Sequence, residues 1–327
     1  MPGSVRRRRF RFAAPCATGR GMTSRTRGLL AAALCYAIWG LTPIFYKALA
    51  NVPPLEVMAH RTLWSAASFA LVLAAQGRLS RLGPLLTRRL GRTALAGAAI
   101  GSNWFLFIFA VATGQTLESS LGYYILPLGT ALAGWALFGE RLGARRLLAI
   151  AIAACGIAVL GAGAGAPRLS LLIMGTFLVY SVVKKGAAED PVATVCAEAI
   201  VLLPLALLWL ALAHGGMPAP FAAHVDPEPW SAPVSGPGAF GQGLVVTLLL
   251  MASGPLTAGP LLLFSYAARH AELGQVGFLI YLNSTLQFLC AVFLFGEAFT
   301  LLHGIGFAAI WLALGLYSLP VRRAFPA

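Results

Sequence analysis

The stretch GYYILPLGTALAGWALFGERLG, residues 122–143, recurs once in the chain in an altered form. At an offset of 157 residues, positions 279–300 read LIYLNSTLQFLCAVFLFGEAFT, so the Phe-Gly-Glu step that ends at Glu140 returns at Glu297. Both copies are apolar segments with a tyrosine near the start and one carboxylate near the end. A duplicated hydrophobic segment of this kind is typical of a membrane protein built from two related halves.

The composition indicates a polytopic membrane protein. Hydrophobic residues make up 59% and charged residues 10% of the 327 residues, whereas about 25% of residues are charged in soluble domains. A helix needs about 20 apolar residues to cross a hydrocarbon core of roughly 30 Å. We therefore predict an all-α membrane protein with ten transmembrane helices, at about 28–49, 55–76, 94–114, 119–138, 146–164, 169–187, 192–213, 243–267, 274–295 and 300–319.

The basic residues predict the orientation of the chain. The formal net charge is +14, and arginines and lysines cluster in every second connection between predicted spans, with Lys47 and Arg168 as exceptions. This positive-inside pattern predicts that both termini lie in the cytoplasm. Because the basic residues are spread over alternate connections rather than gathered in one patch, we expect no nucleic-acid partner.

Each half is predicted to contain five spans, so the second half enters the membrane in the opposite orientation. The expected architecture is two inverted five-helix repeats, at residues 28–164 and 169–320, with a linker at 165–168. A proline-rich external loop is predicted at 214–241. Cytoplasmic tails are expected at 1–27, which we predict to be disordered, and at 321–327. Inverted repeats support alternating access to a site between the halves.

Two polar residues inside the first-half spans are candidates for substrate binding. A central arginine opposes membrane insertion by about 2.5 to 3.5 kcal/mol, so Arg61 is expected to face protein or water. It either binds an anionic group of a substrate or forms a structural pair with Glu56 or Glu118. Asn103, near the middle of the third span, either bridges helices or contacts the substrate.

Carboxylates near the ends of the spans are candidates for coupling or gating. Glu198 occupies the position in the second half that corresponds to Arg61, and it is a candidate for proton coupling. An alternative for Glu198 is a helix-end salt bridge with Lys184 or Lys185. Glycine followed by a carboxylate is also an ordinary way to end a helix at the water boundary. The other coupling or gating candidates are Glu118, Glu140 and Glu297.

Several segments resemble a known family. YAIWGLTPIFYKAL, EVMAHRTLWS, SNWFLFIFAV and LESSLGYYILPL, together with FGERL and the VVKK segment, are similar to the RarD branch of the EamA transporters, within the drug/metabolite transporter superfamily. The resemblance covers residues 28–320 and implies a ten-helix carrier of small metabolites or drugs in the bacterial inner membrane. The family usually has proline where Ser284 stands. We therefore expect the first copy of the repeated segment to bend at Pro127 and the second to be straighter.

These observations predict a secondary transporter of the inner membrane that moves a small metabolite or drug-like molecule by alternating access, coupled to protons or to exchange. Its partners would be a small-molecule substrate and the lipid bilayer, and a homodimer is compatible with the sequence. We expect no cofactor, no metal and no catalytic residues. The predicted substrate cavity is lined by Tyr36, Trp39, Arg61, Asn103, Trp104, Tyr123, Tyr124, Tyr281 and Asn283.

The sequence disfavours an enzyme or a channel as alternatives to a transporter. A membrane-embedded enzyme acting on lipid-linked substrates would need paired carboxylates, a nucleophile with its base, or a metal cluster at one face, and the sequence offers none of these patterns. A lipid flippase remains an alternative. A passive channel is disfavoured by the inverted repeat and by the lack of a ring of charges.

Overall fold

The computed structural model describes residues 23–140, 142–163, 167–185, 189–215, 238–271 and 279–318. Within those ranges the chain forms helices and turns and no strand, so the all-α prediction is confirmed there. A 3₁₀ turn, Leu79–Arg81, precedes α3, and a π-helical segment, Cys290–Leu294, extends α10. The helices are α1 Ser24–Lys47, α2 Pro54–Ala75, α3 Leu82–Leu86, α4 Leu90–Ala112, α5 Thr116–Phe138, α6 Ala144–Gly163, α7 Arg168–Lys184, α8 Pro191–His214, α9 Leu244–His270, α10 Ile280–Leu289 and α11 Leu301–Ser318.

Most of the predicted tails, the linker and the proline-rich loop lie outside the described residues. The one part of the first tail that is described differs from expectation, because α1 begins at Ser24. The Thr23 hydroxyl caps this helix by accepting a hydrogen bond from the Thr26 backbone N–H at 3.2 Å. A side-chain cap of this kind stabilises the first helical turn.

Eight helices of the described chain are long and apolar enough to cross a membrane, namely α1, α2, α4, α5, α6, α8, α9 and α11. The helices in two further predicted spans are shorter: α7 has 17 residues, and the helical segment Ile280–Leu294 is shorter still. Long aliphatic side chains such as Leu71, Leu205 and Leu301 are exposed on the outside of the bundle. Such an apolar exterior fits lipid rather than water, and the chain is a multi-pass membrane protein.

Contacts between helix ends divide the ends of the long helices into two faces. We call one the basic face; it carries the connection between α2 and α4 and the end of α7. There, Arg81 donates to Asp190 at 2.8 Å and thereby ties that connection to the start of α8. The other end of the bundle, here the opposite face, carries the turn between α1 and α2 and the start of α5. At this face Glu118 accepts a hydrogen bond from the Leu169 N–H at the start of α7, at 3.1 Å.

The two copies of the repeated segment run antiparallel. Glu297, after the second copy, accepts hydrogen bonds from the backbone N–H groups of Thr116 and Leu117 at the start of α5, both at 2.7 Å. Glu140 follows the other end of α5 and pairs with Lys185 on the basic face at 2.6 Å. Because the 23 residues of α5 span about 34 Å, the two Phe-Gly-Glu steps lie at opposite ends of the bundle.

The second copy contains an irregularity that the sequence analysis missed. In α5 the helix continues through Pro127. After α10, by contrast, the backbone changes to a π-helix, and the Phe295 N–H donates to the Cys290 carbonyl at 2.8 Å. No proline marks this position, although π-helical turns are often found near functional sites. The first copy therefore lacks one helical donor at Pro127 but continues as an α-helix, whereas the second copy, which has no proline, changes to a π-helix.

In the predicted repeats, the first-half helices α1, α2, α4, α5 and α6 correspond in order to α7, α8, α9, α10 and α11. The contacts between helices follow this correspondence. The contact of α1 with α9 has its counterpart in that of α7 with α4, and the contact of α2 with α9 in that of α8 with α4. The α2–α8, α6–α11 and α5–α10 contacts each join equivalent helices. The helices α6 and α11 contact mainly each other and, to a smaller extent, α5.

Close packing of α2 against α9 depends on Gly254. A Cβ atom at this position would lie 2.3 Å from the Trp64 carbonyl oxygen, whereas one at Gly175 would meet nothing within 4 Å. Small residues commonly allow membrane helices to approach closely. We expect Gly254→Ala to lower the free energy of unfolding in detergent by about 1 to 3 kcal/mol, measured by denaturation. Gly175→Ala, the matched control on α7, should leave stability unchanged or slightly raised, and an equal loss in both variants would contradict this interpretation.

Candidate functional site

A cavity of about 490 Å³ lies at the centre of the bundle. This volume is in the range of small-molecule sites. Both halves contribute to it equally, since α1, α2, α4 and α5 line it from the first half and α7, α8, α9 and α10 from the second. One lining residue from each of these helices, in that order, is Tyr36, Arg61, Asn103, Tyr123, Phe177, Thr194, Thr257 and Asn283.

The cavity extends toward the basic face. Lys184 at the end of α7 and Pro191 at the start of α8 belong to its lining. Toward the opposite face it ends near Tyr46 and Arg61, beyond which a buried apolar cluster fills the bundle. That cluster includes Leu49, Val52, Val57, Ile108 and Leu250.

Two contacts bring the end of the second copy against the first half at the opposite face. Glu297 caps α5 with its two hydrogen bonds, and the Lys47 ammonium lies 5.5 Å from the centre of the Phe295 ring. Lys47 is only 4% exposed. The apolar cluster and these contacts therefore separate the cavity from the opposite face.

Arg61 is the most unusual residue of the cavity wall. It is 7% exposed, and its guanidinium carbon lies 4.4 Å from the Trp104 ring centre and 5.5 Å from that of Tyr46. These distances are those of cation–π contacts. Its buried Nε has no hydrogen-bond partner, and no salt bridge within the described part of the chain involves it.

The alternative structural pairing of Arg61 is not formed. Glu56 is fully buried and accepts a hydrogen bond from the Gly238 N–H at 2.9 Å, whereas Glu118 accepts from the start of α7. Both carboxylates are engaged near the opposite face, while Arg61 lies seven residues inside α2, about 10 Å along the helix from Pro54. The arginine is left with aromatic neighbours and the cavity.

Asn103 bridges three helices. Its amide nitrogen donates to the Ile173 carbonyl at 2.8 Å and to the Thr176 hydroxyl at 3.2 Å, both on α7. Its amide oxygen accepts a hydrogen bond from the Tyr123 hydroxyl of α5 at 3.0 Å. The bridging alternative is therefore the one that the structure displays, and Asn103 positions Tyr123 on the cavity wall.

Asn283 and Gln287 form a polar pair on α10, of which only Asn283 was predicted. The amide nitrogen of Gln287 donates to the Asn283 amide oxygen at 3.0 Å. The amide oxygen of Gln287 accepts a hydrogen bond from the Ser119 hydroxyl at 3.4 Å. Both amides line the cavity. Gln287 could have been found from the sequence, since it lies one helical turn after Asn283 on the same face.

The nine predicted substrate-binding residues separate into two groups. Tyr124 and Tyr281 do not line the cavity. Tyr124 hydrogen-bonds Thr285 at 2.7 Å, and both tyrosines pack with a buried apolar cluster that includes Ala149 of α6 and Phe307 and Ile310 of α11. Adjacent helical positions point about 100° apart, so Tyr123 faces the cavity and Tyr124 faces away. The predicted residues that the structure brings together on the cavity wall are Tyr36, Trp39, Arg61, Asn103, Trp104, Tyr123 and Asn283.

Glu198 forms the salt bridge that was the alternative to a coupling role. Lys184 donates to it at 2.7 Å and the Tyr180 hydroxyl at 3.3 Å. Glu198 is 2% exposed, and both of its partners line the cavity near the basic face. Glu140, by contrast, pairs with Lys185 at the surface. Roles in coupling or gating stay predictions for all four carboxylates, including Glu118 and Glu297.

The sequence is similar to those of known transporters. The model of the EamA-like transporter family matches residues 26–162. The chain is 36% identical over 304 residues to an uncharacterized transporter of Pseudomonas aeruginosa, which covers 91% of this chain and 95% of that protein. It is 33% identical over 295 residues to Protein RarD of Escherichia coli, covering 89% and 93% of the two chains. The chain belongs to the RarD branch of the EamA transporter family.

The resemblance seen in the sequence is thus confirmed, and this EamA protein is a membrane transporter. A crystal structure with 18% sequence identity superposes with a TM-score of 0.58, over 91% of this chain and 100% of the solved one. At that identity the match shows a shared fold and nothing about the substrate.

Proposed function

We propose that this EamA protein is a secondary transporter that carries a small molecule by alternating access between two inverted five-helix repeats. The observation that carries the proposal is a cavity lined by helices of both halves, which reaches the basic face and is separated from the opposite face by an apolar cluster. The antiparallel copies of the repeated segment and the exchangeable helix pairs support the inverted repeat. In this proposal α7 and the segment containing α10 complete the ten crossings.

The basic face is assigned to the cytoplasm, with the protein in the bacterial inner membrane. Its connections carry Arg78, Arg81, Arg88, Arg89, Arg92, Arg145, Arg146, Lys184 and Lys185, whereas Lys47 and Arg168 are the basic residues at the opposite face of the described chain. The positive-inside rule supports this orientation. Closure on the periplasmic side would then depend on Glu297 and its cap on α5.

Flux measurements test the transport proposal. Purified protein in liposomes, preloaded with a panel of small metabolites and aromatic acids, should exchange at least one of these compounds for external labelled compound at a rate well above that of protein-free liposomes.

The same flux should respond to an imposed pH gradient if Glu198 takes part in proton coupling, and Glu198→Gln should remove that response. An unchanged response would assign Glu198 a structural role alone, and absence of flux for the whole panel would contradict the transport proposal.

A further inference from the structure

We propose, on the basis of the transport function above, that the substrate is an organic monoanion with an aromatic or apolar body and no cationic group, whose acidic group binds Arg61. The argument rests on the charges and hydrogen-bonding groups that the cavity wall offers. Each of them is either engaged within the protein or left for a ligand.

Arg61 is the group left for an anion. It is buried, its guanidinium lies close to the rings of Trp104 and Tyr46, and its Nε has no hydrogen-bond partner among the described residues. Aromatic rings contact the faces of the guanidinium plane, whereas a carboxylate binds at its edge through parallel N–H···O bonds. Burying an uncompensated charge is unfavourable. A carboxylate in the cavity would therefore supply the counterion that no described residue of the protein supplies.

The acidic residues of the wall are engaged, which disfavours a substrate ammonium group. Among the described residues of the lining, the carboxylate of Glu189 is paired with Arg89. Glu198 is not itself part of the lining, and it is paired with the lining residue Lys184. A zwitterionic amino acid would bring its ammonium group into the cavity without a free carboxylate to receive it. The wall therefore favours a net negative substrate over a zwitterion of the same shape.

Asn283 offers a second donor. Its amide oxygen is occupied by Gln287, while its amide nitrogen makes no hydrogen bond to any other described residue. Asn283 lies on α10 in the second half and Arg61 on α2 in the first, so a ligand that reaches both side chains would contact the two halves at once. This contact suits an oxygen acceptor such as a carbonyl, a hydroxyl or the acid itself.

The rest of the wall suits an aromatic body. Tyr36, Trp39 and Phe264 form one group of rings, with centroid separations of 5.8, 6.3 and 6.4 Å. Phe69, Phe107 and Phe177 line other parts of the cavity. Rings of this kind bind planar apolar groups through edge and stacking contacts.

A matched set of four compounds tests the proposal by equilibrium binding to the full chain in detergent. 3-Phenylpropionate, phenylalanine, 3-phenylpropanamide and 3-phenylpropylamine share one body and differ in charge. We expect 3-phenylpropionate to bind at least about tenfold more tightly than each of the other three, which corresponds to about 1.4 kcal/mol. Equal or tighter binding of phenylalanine or the amine, or no binding of 3-phenylpropionate at millimolar concentration, would overturn the proposed substrate class.

Arg61→Gln should lower the affinity for 3-phenylpropionate about tenfold, to that of the amide, while leaving the affinity for the amide unchanged. Arg61→Lys should recover part of the loss because it restores the charge without the bidentate geometry. Arg88→Gln, the same chemical change at an exposed position outside the cavity, is the control and should not alter binding. If Arg61→Gln is not folded in size-exclusion and thermal assays, the compound series with the unsubstituted protein and Arg61→Lys decides.

Failure of this inference is distinguishable from failure of the proposed function. The binding assay requires no transport, and the flux assay uses a panel that is not limited to anions. Flux of neutral or zwitterionic compounds without binding of 3-phenylpropionate would leave transport intact and exclude the monoanion class. Binding of 3-phenylpropionate without flux of any compound would support the monoanion class of ligand and contradict the transport proposal.

Discussion

Replacement of Glu297 by alanine is expected to speed hydrogen exchange at the start of α5 by about tenfold or more. The carboxylate accepts hydrogen bonds from the Thr116 and Leu117 N–H groups, both at 2.7 Å. Hydrogen bonds to charged groups contribute about 1.5 to 3 kcal/mol each, and the negative charge also interacts favourably with the helix N-terminus. Loss of the cap should expose these amides and weaken the contact that separates the cavity from the opposite face.

Exchange followed by mass spectrometry on a peptide covering residues 113–121 measures this effect. Glu297→Gln should fall between the unsubstituted protein and Glu297→Ala, since an amide oxygen can accept a hydrogen bond without the charge. Glu140→Ala is the matched control, because the equivalent carboxylate of the first copy lies at the other end of α5 and pairs with Lys185. Unchanged exchange in Glu297→Ala would show that the cap does not stabilise this contact.

Breaking the buried pair between Glu198 and Lys184 is expected to have the second large effect. Glu198→Ala would leave the Lys184 ammonium without its counterion, and removal of one partner of a buried pair costs about 3 to 5 kcal/mol. Lys184 retains 23% of its side-chain exposure, so we expect a loss near the lower limit, about 3 kcal/mol. Replacing both residues, as Glu198→Leu with Lys184→Met, should cost less than Glu198→Ala alone because no charge is left unpaired.

Chemical denaturation in detergent measures these free energies of unfolding. Glu140→Ala serves again as the control, since its pair with Lys185 is half exposed and exposed pairs contribute about 0 to 1 kcal/mol. If the double variant were less stable than Glu198→Ala, the two side chains would act independently, and the pair would not be the source of stability.

Much of the fold could be predicted from the sequence because the membrane limits the choices. The long apolar runs predict helices, and the spacing of arginines and lysines predicts which ends meet at one face. The opposite placement of Glu140 and Glu297 was predicted from the expectation of five spans per half, and the structure has the two residues at opposite ends of α5. The lengths of α7 and α10 and the presence of the π-helical segment could not be predicted from the sequence, since they depend on packing rather than on hydropathy.

The candidate site was predicted in part. Arg61 could be recognised because an arginine in an apolar run is costly, and Trp104 and Tyr36 lie in the same cavity. Tyr124 was misplaced because repetition in sequence does not specify which side of a helix faces the centre. The partners of Asn103 and Glu198 required coordinates, since each lies on a helix whose register against its neighbours is fixed by three-dimensional packing.

The most direct test of alternating access is the accessibility of Thr257→Cys, at the middle of α9 on the cavity wall. Its rate of modification by a membrane-impermeant maleimide is measured from each side of oriented vesicles, with the unsubstituted protein giving the background from native cysteines. Alternating access predicts faster labelling from the basic face, and in Glu297→Ala a rise from the opposite face accompanied by a fall from the basic face. Labelling that rises from both faces together, or that occurs from neither, would contradict it.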